Sequence, residues 1–211
     1  MKKLVILGAG GHGRELLEWV YDINRVELTW DFLGFIDDNP YALDGFNCKY
    51  NVIGNLDSWS DFDDIYFALG IASPKTKEIV SNKLKAKGAK FASIIHPSVR
   101  IAENATYGEG FVAYPDAYVC SNAHVGDFVT LLSSKISHDC VIGDYCTILS
   151  YAGVNGNTVL GKRVFVGNHA TMVQGLTIGD DVSIGLGSVV IKNIEEGLHV
   201  FGNPARPIKS K

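Results

Sequence analysis

Two rhythms of apolar positions divide this 211-residue chain. In the first third, short apolar runs alternate with amphipathic stretches. Leu4-Val5-Ile6-Leu7 predicts a buried strand that runs into Gly8-Ala9-Gly10-Gly11-His12-Gly13. From Arg14 to Tyr21, Leu16, Leu17 and Val20 then mark one face of a helix. A second strand, Leu33 to Ile36, ends in Asp37-Asp38, and a third, Ile65 to Leu69, ends in Gly70. Ser73 and Pro74 stand at the N-cap and first position of a helix through Lys75 to Lys87, with Gly88 as its stop. This alternation predicts a small Rossmann-like parallel sheet over residues 1–92.

From Ile101 the rhythm changes. An apolar or turn-marking residue recurs every six positions at Ile101, Tyr107, Ala113, Val119, Val125 and Leu131. The phase slips by one, then resumes at Ile136, Ile142, Ile148 and Val154 and continues to Val190. Glycines follow many of these positions directly, among them Gly108, Gly126, Gly143 and Gly161, and small residues such as Ala117, Ala123, Cys140 and Cys146 stand four places later. A six-residue period is neither helical nor that of a plain alternating strand; it marks a parallel β-helix with one short strand and one corner per repeat. The large residues are expected to fill the interior and the glycines to permit tight turns. The repeat resembles the left-handed β-helix of hexapeptide acyltransferases. That resemblance supplies the handedness, which periodicity does not set. Residues 93–211 form this second, all-β unit with its C-terminal extension.

Charge and cysteine content narrow the function. The net charge of −4, with 19 Lys and Arg against 23 Asp and Glu, leaves no basic excess for a nucleic acid. The apolar run after Met1-Lys2-Lys3 is too short for a signal peptide, and none approaches the roughly 20 residues of a membrane span, so a cytoplasmic protein is expected. Cys48, Cys120, Cys140 and Cys146 have neither C-x-x-C nor zinc-site spacing. No metal is expected, and Cys140 and Cys146 belong to the core.

The glycine run fits G-x-G-x-x-G, with a strand before it, a helix after it, and acidic residues about 20 positions on. Glycines let the backbone approach a diphosphate, and the helix N-terminus supplies N–H donors. Asp37 and Asp38 can accept hydrogen bonds from a ribose or a base edge. The other reading is a tight strand-to-helix turn and nothing more. The unit closes too early for a six-stranded dinucleotide fold, which favours a nucleotide or nucleotide sugar over a nicotinamide cofactor. In the repeats, His138 stands two places after Ile136, at a corner just past the phase slip, and beside Asp139. Transfer from a thioester to an amine or hydroxyl needs a base, and this imidazole with an adjacent carboxylate supplies one. A solvated corner histidine is the alternative.

The glycine run, the Phe35-Ile36-Asp37-Asp38 strand end, His138-Asp139-Cys140 and the ending Gly202-Asn203-Pro204-Ala205-Arg206 together resemble the sugar acetyltransferases of bacterial surface-glycan synthesis. These comprise nucleotide-amino-sugar N-acetyltransferases of the PglD type and sialic acid O-acetyltransferases of the NeuD type. The resemblance implies that His138 is the general base and Asp139 tunes it. It implies that Gly10, Gly11, His12, Asp37 and Asp38 hold a UDP- or dTDP-linked amino sugar. Acetyl-CoA would contact Thr147, Gly156, Asn168 and Leu186 between two chains of a homotrimer. Some members carry a histidine where this chain has Thr147, so a thioester contact there does not carry over. N-acetylation of a nucleotide-linked amino sugar, O-acetylation of sialic acid or another glycan precursor, and a non-catalytic nucleotide-binding solenoid are the three readings left open.

Overall fold

A computed structural model describes residues 1–57, 59 and 64–208. The first sheet is parallel, with strand order β3-β2-β1-β4-β5. Its strands are β1 (Lys2–Leu7), β2 (Trp30–Ile36), β3 (Val52–Gly54), β4 (Ile65–Leu69) and β5 (Lys90–Phe91). The chain winds outward on one side of β1, then crosses to β4 on the other. This reversal leaves a crevice at the C-terminal ends of β1 and β4. Helix α1 (Gly11–Val26) lays Leu16, Leu17 and Val20 against a core that includes Leu4, Ile6 and Phe35. Helix α2 (Pro74–Lys85) starts as expected, with the Ser73 hydroxyl accepting from the Thr76 N–H, and Leu84 packs among Val5, Leu7 and Phe67.

The elements differ from expectation at their edges. Helix α1 begins three residues before Arg14, because the glycine run itself forms its first turn, and ends five residues beyond Tyr21. Strands β3 and β5 are three and two residues long, too short to show a period, and the sequence reading missed both.

Beyond Ile94 the chain is a solenoid of two-residue strands stacked into three parallel sheets. One face runs from Arg100–Ile101 through Lys135–Ile136 and Gly153–Val154 to Val189–Val190. The second contains Thr106–Tyr107, His124–Val125, Val141–Ile142, Val159–Leu160 and Thr177–Ile178. The third starts at Ile94–Ile95, includes Thr130–Leu131 and Thr147–Ile148, and ends with His199–Phe201, against which Arg206–Pro207 pairs antiparallel. The second residue of nearly every pair is buried, from Val119 to Val190, as are Cys140, Cys146 and the small residues of the repeat. The first coil is less covered, with Tyr107 at 45% exposed and Ile95 and Ile101 half-buried.

The repeat glycines act differently from the expectation. None of Gly108, Gly126, Gly143 or Gly161 has positive φ. A Cβ on Gly108 would lie 2.2 Å from Asp127 Oδ1, and one on Gly143 would lie 2.5 Å from the Gly161 carbonyl carbon. These glycines therefore permit close stacking of successive coils. The left-handed corner positions are filled mainly by larger residues, including Asn122, Asp139 and Asn157 at the corner between the first two faces. Asn and Asp tolerate that conformation better than most residues.

The phase slip makes one coil a residue shorter than its neighbours, and the structure closes the gap with a side chain. Ser133 sits at φ +25°, while the buried Ser134 hydroxyl donates to Leu149 O at 2.7 Å and accepts from Ala152 N–H at 2.9 Å. A hydroxyl thus supplies ladder bonds where backbone is missing.

The N-terminal unit rests on the third face. Lys77 on α2 is fully buried and donates to Phe128 O (2.9 Å), Thr130 Oγ1 (3.1 Å) and Cys146 O (2.9 Å), which uses all three of its N–H bonds. Arg163 bridges Asp181 on the solenoid and Glu78 on α2. Tyr114 stacks on His12. Among the described residues no helix is long and apolar enough to cross a membrane.

Candidate active site

His138 occupies the corner between the first and second faces, the corner farthest from the N-terminal unit on the third. Its Nδ1 lies 2.7 Å from Asp139 Oδ2. Asp139 Oδ1 accepts a second hydrogen bond, at 2.9 Å, from Asn122 Nδ2 one coil below. Asn122 first and His138 second hold the Asp139 carboxyl below its usual range, so it is ionised and can only accept. Nδ1 of His138 therefore carries the proton of that bond, and Nε2 keeps its lone pair. On the coil above, Gly156 faces the imidazole so closely that a Cβ would stand 2.5 Å from Cε1 and 2.6 Å from Nε2. An open pocket of about 460 Å³ surrounds the ring, lined also by Lys135, Ser137, Asn155 and Gln174. This arrangement provides an oriented base with space before it.

The nearest thiol is unsuited to covalent catalysis. Cys140 is buried, burial pushes its pKa up, and its sulfur donates to Asn155 O. Cys146 is buried too, with its pKa pushed up to about 12. Neither forms the thiolate a nucleophile requires.

A second site lies at the crevice of the first sheet. Gly8 (φ +96°) turns the chain, and Gly13 must be glycine because a Cβ would meet Gly8 O at 1.9 Å. Gly10 and Gly11 carry no such constraint, since Cβ atoms on them would face nearly open space. Their freedom suits the approach of a ligand to the N-terminus of α1. Asp37 accepts from Ala9 N–H (2.8 Å) and Asn39 N–H (2.9 Å), so it shapes the glycine turn as well as edging the crevice. Asp37 and Asp38 line a pocket of about 240 Å³ with Gly8, Leu56, Ile71 and Thr76. His12 points from this turn toward the solenoid. Its Nδ1 bonds Tyr114 OH at 2.7 Å, and burial lowers its pKa to about 4, so it is neutral at physiological pH.

The four positions assigned to acetyl-CoA fall in different places. Gly156 is at the His138 pocket. Asn168 and Leu186 are exposed, one coil apart, at the corner between the third and first faces. Thr147 is a correction: it is fully buried under the N-terminal unit, and its hydroxyl donates to Ala72 O at 2.8 Å. It is a joint between the two units and has no surface to offer a thioester. Within one chain the base and the nucleotide crevice share no pocket residue. The sequence reading also missed Lys77 and Asn122. Corner residues one coil before a candidate histidine would have been the signal for Asn122.

The family described as PglD N-terminal domain matches residues 3–84, and bacterial transferase hexapeptide (six repeats) matches residues 139–174. The chain is 31% identical over 218 aligned positions to GDP-perosamine N-acetyltransferase of Escherichia coli O157:H7, spanning 97% of this chain and 95% of that protein. The chain belongs to the PglD-like sugar acetyltransferases. The acetyltransferase domain of PglB from Neisseria gonorrhoeae FA1090, solved with acetyl coenzyme A, superposes with a TM-score of 0.86 at 28% identity, covering 98% of this chain and 99% of that one. WeeI from Acinetobacter baumannii AYE superposes at 0.87 with 30% identity, covering 99% and 100%. This PglD-like chain is accordingly an acyltransferase with acetyl-CoA as co-substrate, and its solenoid is the left-handed β-helix of the family. Among the described residues no cluster of His, Cys, Asp and Glu is arranged to hold a metal ion.

Proposed function

We propose that this protein transfers the acetyl group of acetyl-CoA to the amine of a nucleotide-linked amino sugar, with His138 as general base. The observation that carries the reading is the His138–Asp139 pair, which leaves Nε2 free in an open pocket. As the sugar amine attacks the thioester carbonyl, Nε2 takes the amine proton. The C–N bond forms, the C–S bond breaks, and the imidazolium returns its proton to the departing thiolate. Asp139 stabilises the imidazolium formed in between. The unreactive state of Cys140 and Cys146 supports direct transfer over a cysteine-bound intermediate. Two units, residues 1–92 and 93–211, divide the work: the first binds the nucleotide at Gly10, Gly11, His12, Asp37 and Asp38, and the second carries the chemistry. Acetyl-CoA lies along the solenoid between Gly156 of one chain and Asn168 and Leu186 of its neighbour.

The separation of the two sites within one chain supports a homotrimer, in which the crevice of one protomer meets the His138 corner of the next. A relative that spans 97% of this chain is named for a GDP-linked amino sugar, which adds GDP to the UDP and dTDP acceptors suggested by the sequence. His138→Ala is expected to fold normally and to lose about 10²–10⁴-fold in kcat. Mixing it with Asp37→Ala/Asp38→Ala protomers should restore part of the activity, because hybrid trimers recover some intact sites. Near-normal turnover by His138→Ala would overturn the base assignment. Absence of complementation would place each site within one chain.

A further inference from the structure

Asp139 is held from two sides. One oxygen accepts from His138 and the other from Asn122, and the Asn122 amide is itself held. Its Oδ1 accepts from Asn104 Nδ2, and its backbone N–H donates to Asn104 Oδ1 at 3.3 Å. The bond from Asn104 fixes which end of the Asn122 amide is which, so Nδ2 must face the carboxylate. Three coils of the solenoid thus present one directed chain of donors, from Asn104 to Asn122 to Asp139, which ends at the base. The short coil is part of this geometry, since Asn122 and Asp139 stand 17 residues apart where Asn104 and Asn122 stand 18 apart.

We infer that Asn122, set by Asn104, is a positioning residue for the acetyl transfer: it fixes the Asp139 carboxylate so that His138 presents Nε2 to the substrate. The inference rests on the base assignment proposed above. The simpler explanation of Asn122 is its backbone, which sits at φ +57°, where Asn is favoured whatever its side chain does. Asn157, at φ +58° on the coil above Asp139, shows that the corner selects Asn on those grounds alone. The two explanations separate in glycine, which adopts positive φ without strain but has no amide to donate. They separate again in Asn104→Ala, which frees the Asn122 amide and leaves the Asn122 backbone as it is.

The test compares Asn122→Gly and Asn104→Ala with the unaltered full-length protein, using ¹⁵N-histidine NMR over a pH series. The His138 signals are assigned by their loss in His138→Ala. Unaltered protein should show the tautomer protonated at Nδ1. Asn122→Gly should mix the tautomers, because the freed carboxylate no longer holds the Nδ1–H in one place. Asn104→Ala should mix them too, to a smaller extent, because the Asn122 amide loses its anchor. The kcat for acetyl transfer in Asn122→Gly should fall about three- to tenfold, a fraction of the whole general-base contribution. A backbone role would give both variants the tautomer and kcat of unaltered protein, and that result overturns the inference. Should Asn122→Gly fail to fold, Asn104→Ala still decides, because it frees the Asn122 amide and leaves the backbone at 122 and the net charge unchanged. Full turnover by His138→Ala would instead refute the base assignment, while the tautomer measurement would still report on the contact.

Discussion

Replacing Gly156 with alanine adds one methyl group and tests the site without altering either member of the His138–Asp139 pair. Gly156 is not among the residues at positive φ, so its backbone accepts a side chain. The new Cβ would stand 2.5 Å from Cε1, 2.6 Å from Nε2 and 3.0 Å from Nδ1 of His138. Ordinary contact between such atoms is about 3.5–4.0 Å, so the ring must move by roughly 1 Å or turn to another rotamer. Either movement breaks the 2.7 Å bond to Asp139 and carries Nε2 away from its position. A misplacement of that size is worth about 10²-fold in kcat. Stability should hardly change, because the His138 side chain is 57% exposed and lies outside the core. The assay is thiol release with acetyl-CoA and acceptor both saturating, beside a thermal melt. A kcat near that of unaltered protein, with only a raised KM for acetyl-CoA, would refute the reasoning and make Gly156 a cofactor contact alone.

Three further outcomes are expected. Burial lowers the Lys77 pKa from its ordinary 10.5 to about 7, so between those values the unfolded chain binds a proton that the folded chain does not. Stability should therefore rise with pH across that window, by at most about 1.4 kcal/mol per unit, and Lys77→Met should flatten the rise in denaturant titrations at several pH values. Parallel profiles for the two proteins would contradict this. Asp37→Ala together with Asp38→Ala should raise KM for the nucleotide-linked acceptor more than it lowers kcat, and unchanged kinetics would give the crevice another purpose. Alkylation of the native protein should reach the half-buried Cys48 first and spare Cys140 and Cys146, as read by peptide mass; early labelling of Cys146 would show that the solenoid core opens.

Much of this architecture is written in local pattern. The six-residue period gave the solenoid because every coil buries the same kind of residue at the same place, and the phase slip pointed to the corner that holds His138. Strands β3 and β5 were illegible because two or three partly exposed residues carry no period. The role of the repeat glycines was misread because their constraint comes from the coil above, a contact about 18 residues away. Thr147 was misplaced for a related reason: its position in the repeat is regular, but the N-terminal unit covers its face, and no spacing within the repeat records that cover. Lys77 lay hidden because two of its three partners are main-chain carbonyls, all three lie more than 50 residues distant, and carbonyls leave no mark in the sequence. His138 and Asp139 were legible as neighbours, whereas Asn122, on another coil, was not.

The central claim is tested most directly by incubating the purified protein with acetyl-CoA and UDP-, dTDP- and GDP-linked amino sugars, with free sialic acid alongside, and following thiol release and product mass. Turnover of a nucleotide-linked amine, with a product heavier by one acetyl group and no reaction of sialic acid, is the predicted result. Turnover of sialic acid alone would contradict it, moving the chemistry to a hydroxyl and leaving the glycine turn without its nucleotide.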